Sequence, residues 1–379
     1  MCNVAELFIP DEPIIEVTAV LSAILILVLV LPFKVRIVEE NLEAFFFIMG
    51  LLGVATIYYY GILPTPDSLI GLFIKAFKTP LAIAHVGPIP IGIVQAVVFF
   101  GLVFYFFHKH IYSILASTME KVGIPVFAFI LTFLLGLISS VISVIVTAVI
   151  LAEIAAALNI SRERKVKYVV YASFAVGIGA ALTPLGEPLS TIAISKLNAH
   201  FTYLIDILGV YIVPGIAVSA VAAAYSLRGE VYREGLVKFV YEESINEILL
   251  RGFRVFLFVA ALELLGASFT PMVKWYFAQL PSWALYWINT ISAVVDNATL
   301  TAAEMGPFLT EEQIRSALMS LLISGGMLIP GNIPNIVAAG RLRITMNEWA
   351  RVGVPFGIAL LLAYFIVIEV LDIHITLSF

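Results

Sequence analysis

The chain has 379 residues, of which 61% are hydrophobic and only 12% are charged. A soluble globular domain carries about 25% charged residues, and no soluble fold could bury this much apolar surface. The net charge of −5 provides no basic face for a nucleic acid, and the single cysteine, Cys2, excludes an intramolecular disulfide. The composition therefore predicts an all-α integral membrane protein whose main partner is the lipid bilayer, with no nucleic-acid partner.

Continuous apolar stretches recur along the chain, and a membrane-spanning helix needs about 20 mostly apolar residues. The stretches that meet this length are 14–33, 44–62, 82–107, 203–227 and 350–372. A further span at 251–265 runs into an amphipathic segment at 266–280. The first stretch has no basic region before it and is too long for a signal peptide, so we interpret it as a retained helix.

Other apolar stretches are broken by polar residues, glycines or prolines, and they are 123–158, 166–197, 282–304 and 314–343. Two of them carry the segments TPLGEP (183–188) and IPGNIPN (329–335) near their centres. Proline removes a helical hydrogen bond and clashes with the preceding turn, so neither stretch can be one continuous helix. Non-helical backbone at membrane depth persists only inside protein or along a watery cavity. These segments therefore predict discontinuous transmembrane helices.

The broken stretches occur twice in the same order, which indicates an internal repeat. ISSVIS (138–143) precedes TPLGEP, and ISAVVDN (291–297) precedes IPGNIPN, at nearly the same spacing. Each unit contains a polar-tipped hairpin and a broken helix, and an amphipathic surface segment (108–122 or 266–280) comes before the hairpin. The predicted organisation is N-terminal scaffold helices (1–81), a first repeat (82–227), an amphipathic cytoplasmic linker (228–250) and a second repeat (251–379).

Loop charges predict the topology. If 123–158 and 282–304 are re-entrant hairpins, most basic residues fall on one side of the membrane, in 34–43, 108–122, 159–168, 228–250 and the end of the second broken helix. The positive-inside rule assigns that side to the cytoplasm. The two repeats are then inverted relative to each other, and the chain crosses the cell (inner or plasma) membrane several times with its N-terminus outside.

Inverted repeats with discontinuous helices are the architecture of secondary transporters, whose sites lie near the bilayer midplane where the helix breaks meet. A nucleotide-binding P-loop is absent from the sequence. An HExxH metal motif is absent too, and we recognise no nucleophile–base arrangement, so we do not expect an enzyme.

Asp296 and Asn297 lie at the predicted tip of the second hairpin. An acid at the bilayer centre costs about 2.5–3.5 kcal/mol on insertion scales, which makes Asp296 a functional candidate by default. The alternative is a structural role, because Asp and Asn also cap helices and stabilise turns.

Glu187 lies in the first break, between Gly186 and Pro188. Its alternative interpretation is a water-exposed loop acid near the membrane face. Neutral oxygens at the breaks and hairpin tips come from Thr183, Ser140, Ser143, Ser292, Asn297, Asn332 and Asn335. Such oxygens suit a small cation such as sodium, although the N-termini of half-helices would also attract a small anion.

Four further charged residues have simpler expectations. Glu153 and Glu304 are expected at the membrane surface, and Glu263 is expected to pair with another interior group. Lys196 is expected to extend to an interface, since long basic side chains place the charged group in water.

ISAVVDNATLTAA (291–303) resembles the S-x-x-x-D-N hairpin of NhaD-type sodium/proton antiporters and their arsenite-permease relatives in the ion transporter superfamily. TPLGEP and PGNIPN resemble the paired T-P-x-G-N/D-P breaks of that superfamily, and the resemblance covers residues 82–372. It implies a homodimer in which hairpins and breaks form a mobile transport domain beside a scaffold. The first hairpin departs from the antiporter pattern, because SSVIS stands where antiporters often have a second acid–amide pair.

The sequence thus predicts a sodium or lithium/proton antiporter without a cofactor, in which sodium and the proton are the transported or coupling ions. Asp296 would bind either ion, Glu187 would be its counterpart, and Asn297 would contribute to the sodium site. The carboxylate cannot hold a proton and sodium together, so the two ions compete. The alternatives are a sodium-coupled transporter of a carboxylate or similar anion, and an arsenite-permease-like efflux subunit that needs a soluble ATPase.

Overall fold

The computed structural model describes residues 7–35, 37–38, 41–82, 84–86, 89–158, 160–230, 244–290, 297–371 and 373. Most of the predicted linker lies outside these ranges. So do Ser292 and Asp296, two residues of the predicted ion site.

Among the described residues of the N-terminal part, the main elements are three helices and a short hairpin. The helices are α1 (Ile15–Lys34), α2 (Leu42–Tyr59) and α3 (Pro66–Lys78). The antiparallel strands β1 (Ala84–Val86) and β2 (Ile89–Ile91) follow, with His85 opposite Pro90.

The next part, up to Ser226, forms α4 (Ile93–Val122), α5 (Ile124–Ile142), α6 (Val144–Ala157), α7 (Arg162–Ala180), α8 (Pro188–Leu197) and α9 (Tyr203–Ser226). From residue 245 onward the chain forms α10 (Ile245–Trp275), α11 (Ser282–Ile288), α12 (Asn297–Glu304), α13 (Glu311–Gly325), α14 (Ile333–Leu342) and α15 (Met346–Phe365). Short 3-10 turns lie at Phe277–Gln279 and Ile329–Gly331, and a π-helical turn, Ile366–Val370, extends α15.

Within the described ranges, three helices are long and apolar enough to cross a membrane, namely α5, α9 and α15 with its π-helical extension. Shorter apolar segments lie in α1, α2 and α6. The protein is therefore helical, with helices suited to a lipid environment, as the composition predicts.

Three predicted boundaries are wrong. The helix predicted over 82–107 begins only at Ile93, because prolines 88 and 90 and their flanking glycines disfavour a helix, and the chain instead forms β1 and β2. The predicted surface segment 108–122 continues α4 without interruption. Most of the segment 266–280 likewise belongs to α10, which passes through Pro271 and ends at Trp275.

The helices bury two main hydrophobic clusters. The larger cluster is built mainly from α5–α9, α11 and α13–α15. The smaller one joins α1–α3 to α10 and α12, with Ile192 of α8 at its edge. The described polar residues predicted for the ion site lie at the α5–α6 turn, between α7 and α8, between α13 and α14 and in the first turns of α12 and α14.

Candidate functional site

The first helix interruption comprises residues 181–187, between α7 and α8. It is hydrogen-bonded to the turn between α5 and α6, which we call the first hairpin tip (residues 140–144). Thr183 Oγ1 donates to the carbonyl oxygen of Ser140, and Val144 N donates to that of Gly186 at 2.7 Å. A Cβ at Gly186 would overlap the Ala180 carbonyl, so only glycine fits. The interruption and the hairpin tip are therefore joined by hydrogen bonds and close packing.

Ser143 stands at this tip in an unusual backbone conformation. Its φ is 90° and its ψ is 136°, a backbone conformation that residues other than glycine rarely adopt. Its side chain is 1% exposed, and its backbone carbonyl accepts a hydrogen bond from Thr147. Strained residues of this kind cluster at ligand sites and switch regions, which supports a functional role for the tip.

Glu187 is the residue immediately before α8 and is only 2% exposed. The alternative of a water-exposed loop acid is therefore wrong. Its backbone is extended (φ −152°, ψ 160°), and its side chain does not cap α8. The helix begins here because Pro188 needs no hydrogen-bond acceptor in the first turn. Consequently a carboxylate lies inside the protein at the N-terminus of a half-helix.

The second helix interruption comprises residues 326–332, between α13 and α14. Asn335 holds it together, because its Nδ2 donates to the carbonyl oxygens of Gly325 and Leu328, each at 2.8 Å. Asn332 immediately precedes α14, and its Oδ1 accepts from Ile333 N at 2.8 Å. Both asparagines are buried. Asn335 Oδ1 has no hydrogen-bond partner within the described part of the chain and is therefore free to accept a ligand.

The second interruption packs against the end of α7, the helix that leads into the first interruption. The Asn332 side chain occupies the space where a Cβ on Gly177 would lie, and the Phe174 ring covers Gly326. Trp349 Nε1 from α15 donates to the Gly326 carbonyl at 3.1 Å. The second interruption therefore contacts α7, the helix that precedes Thr183 and Glu187 in the chain.

Asn297 connects the second hairpin to this region. It is the first residue of α12, is 2% exposed, and its amide lies directly against Gly325. Asp296 and Ser292 lie outside the described residues, so their predicted roles stay predictions.

The half-helices α8 and α14 have the same construction. Each is ten residues long, and each is preceded by a residue at φ −152°, Glu187 or Asn332. Each also ends on a left-handed residue, Asn198 (φ 55°) or Arg343 (φ 51°). The helices α8 and α14 thus match in length and in both terminal conformations, and Glu187 and Asn332 each occupy the position just before the helix.

Two buried polar groups escaped the sequence interpretation. Glu304, expected at the membrane surface, is 3% exposed, and the Asn289 amide interacts with its carboxylate. Asn289 also donates to the Ala317 carbonyl at 3.2 Å. The apolar neighbours of Glu304 in TAAEM were the available signal for its burial.

The other two glutamates and Lys196 also have defined partners. Glu153 forms an ion pair with Arg341 at 2.6 Å, which joins α6 to α14. Glu263 lies 3.9 Å from Lys75 Nζ, so the expected interior partner is present. Lys196 does not extend to an interface, because its Nζ donates to the Gly266 and Ala302 carbonyls inside the protein.

The arrangement offers a small ligand a carboxylate and neutral amide, hydroxyl and carbonyl oxygens. A cluster of three or more His, Cys, Asp or Glu side chains that could hold a transition metal is not found among the residues with described positions. Oxygen ligands of this kind suit hard cations, and the adjoining half-helix N-termini suit anions.

Apolar helices long enough to cross a membrane, together with buried polar residues at two helix interruptions, are the features of a helical membrane protein. A family profile described as "Protein of unknown function (DUF1646)" matches residues 18–371, and the chain belongs to this family. A comparison with curated proteins finds no match.

Proposed function

We propose that this protein is a secondary active transporter that exchanges sodium or lithium ions for protons across the cell membrane. Its ion site would be formed by the two helix interruptions and the two hairpin tips. The observation that carries the proposal is the buried carboxylate of Glu187 at a helix interruption that is hydrogen-bonded to the first hairpin tip.

The construction of α8 and α14 supports two inverted repeats. Packing between the two halves of the chain is reciprocal, since α6 packs on α14 and α12 packs on α8. The packing within each half also corresponds, because α5 packs on α7 in the first half and α11 packs on α13 in the second. Transporters built from inverted repeats bind their ions at such a repeat interface. We further propose that the chain is multi-pass with an external N-terminus, as the basic loops indicate.

The length and burial of the first hairpin support a re-entrant assignment. With 14 residues, α6 is about 21 Å long, which is short of the roughly 30 Å hydrocarbon core. The preceding helix α5 is long enough to cross, but it ends at the buried tip beside Gly186. Backbone that is non-helical at membrane depth must be satisfied inside the protein, and the Val144–Gly186 bond does this.

The exchange mechanism follows from competition for one carboxylate. Burial disfavours the charged form of an acid, whereas a bound cation favours it. Sodium binding would therefore release a proton, and protonation would release sodium. Asn335 Oδ1 is a buried acceptor without a described hydrogen-bond partner, and it would supply a neutral oxygen to the cation. Asp296 would be the second carboxylate of the site.

A sodium-coupled carrier of a carboxylate or similar anion is the second candidate. Both α8 and α14 begin at the interruptions, so two positive helix-dipole ends adjoin the proposed site. Glu187 offsets one of them, but the uncharged Asn332 leaves the other available to an anion. An arsenite-permease-like subunit and a homodimeric assembly stay predictions from the family resemblance.

The test uses proteoliposomes that contain a pH-sensitive dye. Sodium added outside should drive proton movement in the wild type, and Glu187→Gln and Asp296→Asn should abolish it while the purified variants keep their melting temperatures. Glu163→Gln is the matched control, because Glu163 is an exposed acid paired with Lys167. It should retain exchange.

If sodium moves no protons in the wild type, antiport is wrong. If sodium instead drives uptake of a labelled carboxylate, the protein is a sodium-coupled anion carrier and not an antiporter. Full exchange by Glu187→Gln would exclude the first interruption from the ion site.

A further inference from the structure

A cavity of about 240 Å³ lies at the C-terminal ends of α8 and α12, between these helices and the N-terminal part of the chain. Apolar side chains from the N-terminal segment, α3, α10 and the loop after α12 form most of its wall. Lys75, Lys196, Glu263 and Thr270 supply the polar groups. None of the ion-site residues that the structure describes lines it.

Two lysines face one glutamate in this cavity. Lys196 Nζ donates to the carbonyl oxygens of Gly266 and Ala302, at 2.9 and 2.7 Å. Lys75 Nζ lies 3.3 Å from the Ser195 carbonyl oxygen and 3.9 Å from Glu263 Oε2. An ammonium group has three donors, so both lysines keep hydrogen-bonding capacity for an anionic ligand.

Glu263 supplies a hydrogen-bond acceptor for a donor group on the same ligand. Its side chain is 3% exposed, and the Ser195 hydroxyl interacts with its carboxylate. Its Oε1 nevertheless has no hydrogen-bond partner in the described ranges of the chain. Buried polar atoms are normally hydrogen-bonded, and leaving one unpaired costs about 1–3 kcal/mol. A ligand that donates a hydrogen bond to Oε1 would remove this cost.

The N-terminal segment covers one side of the cavity and is fixed there by hydrogen bonds. Lys274 Nζ donates to the Ile9 carbonyl and to Asp11 Oδ1, at 2.9 and 2.8 Å, and Trp275 Nε1 donates to the Pro10 carbonyl. The same lysine holds the pKa of Asp11 below its ordinary value. Hydrogen bonds to α10 therefore hold this side of the cavity wall in place.

We infer that this cavity binds a small organic acid that has a hydrogen-bond donor beside its carboxylate and an apolar tail. Such a ligand is an α-amino or α-hydroxy acid. Its carboxylate accepts from Lys75 and Lys196, its amino or hydroxyl group donates to Glu263 Oε1, and its tail contacts the apolar wall. Drug-sized ligands occupy pockets of about 300–1,000 Å³, so 240 Å³ suits a smaller molecule.

The cavity is separate from the proposed ion site. Glu187 precedes the first residue of α8 and Lys196 lies near its end, which places them about 14 Å apart along the helix axis. The inference rests only on the cavity and therefore does not depend on the proposed exchange of sodium and protons.

The first experiment measures binding to the purified full chain by isothermal titration calorimetry. The probes share one branched tail: leucine, 2-hydroxy-4-methylpentanoate, 4-methylpentanoate and 3-methylbutylamine. At least one of the first two should bind, and their ratio identifies an amino or a hydroxy acid. The plain acid should bind at least tenfold more weakly because it offers no donor, and the amine should not bind. Equal binding of the plain acid, binding of the amine, or no binding of any probe would each overturn the inference.

Variants then assign the binding to this cavity. Lys75→Gln should weaken binding at least tenfold, and Glu263→Leu, which has no acceptor, should remove the preference for an acid with a donor. Lys78→Gln is the matched control, because Lys78 is exposed on the same helix and should leave binding unchanged. The Lys75 side chain is 36% exposed, so its variant should fold. Equal binding by Lys75→Gln and Lys78→Gln would show that the ligand binds elsewhere.

Discussion

Replacing Asn335 with leucine tests whether the second interruption depends on side-chain hydrogen bonds. The Asn335 amide donates to two carbonyl oxygens, those of Gly325 and Leu328. In this variant the Leu328 carbonyl oxygen still accepts a hydrogen bond from Gly331 N at 3.3 Å. The Gly325 carbonyl oxygen lies at the end of α13, where the helix provides no donor, so it loses the donor that Asn335 supplied. Leucine has nearly the same shape as asparagine but no donor.

The expected cost follows from these two bonds. One buried carbonyl left without a donor costs about 1–3 kcal/mol, and the loss of one ordinary hydrogen bond adds about 1 kcal/mol. Asn335→Leu should therefore lower the free energy of unfolding by about 2–4 kcal/mol. Equilibrium unfolding of the purified protein in mixed micelles measures this change.

Ser190→Ala is the control for burial without hydrogen bonding. Ser190 is 0% exposed, and its hydroxyl has no partner among the side chains and backbone that the structure describes. Its removal should not destabilise the protein, because the free-energy cost of burying an unpaired hydroxyl is removed with it. A similar absence of destabilisation in Asn335→Leu would refute the assignment of Asn335 as the residue that holds the interruption.

Two further predictions concern packing and topology. Gly179→Ala places a Cβ onto the backbone carbonyl of Gly136 and should destabilise the protein by at least about 1–3 kcal/mol. In Gly340→Ala, in α14, the added Cβ meets open space and should stabilise the protein by about 0.4–1 kcal/mol. Thermal unfolding of the two variants measures both effects. In a cysteine-free background, an impermeant thiol reagent added outside cells should label a cysteine at position 310 but not one at position 164, and the reverse pattern would overturn the external assignment of the loop before α13.

The interruptions could be predicted from the sequence because their causes are local. Proline cannot complete the helical hydrogen-bond pattern whatever surrounds it, so TPLGEP and IPGNIPN end one helix and begin another in any fold. Glu187 was identified for the same reason, since its place between Gly186 and Pro188 puts it at the start of α8. The prolines at 88 and 90 carried an equally local signal against the helix predicted over 82–107, and the apolar composition of that stretch obscured it.

The burial of individual charged residues could not be predicted from local sequence. Glu304 was expected at the surface and is instead buried. Lys196 was expected at an interface, but it is half-buried and its Nζ donates to backbone carbonyls of α10 and α12. Lys75 and Glu263 are far apart in the sequence, yet they line one cavity. The environment of a side chain depends on which distant helices pack around it, and no local pattern specifies that.

The sequence by itself therefore determined a helical membrane protein with two interrupted helices, because composition selects the solvent and proline limits the backbone. Only the tertiary structure decided that α6 packs on α14 while α12 packs on α8, and that Asn332 fills the space beside Gly177. These contacts follow from shape and hydrogen-bond complementarity between elements distant in the chain. That complementarity becomes defined only when all the helices are in place.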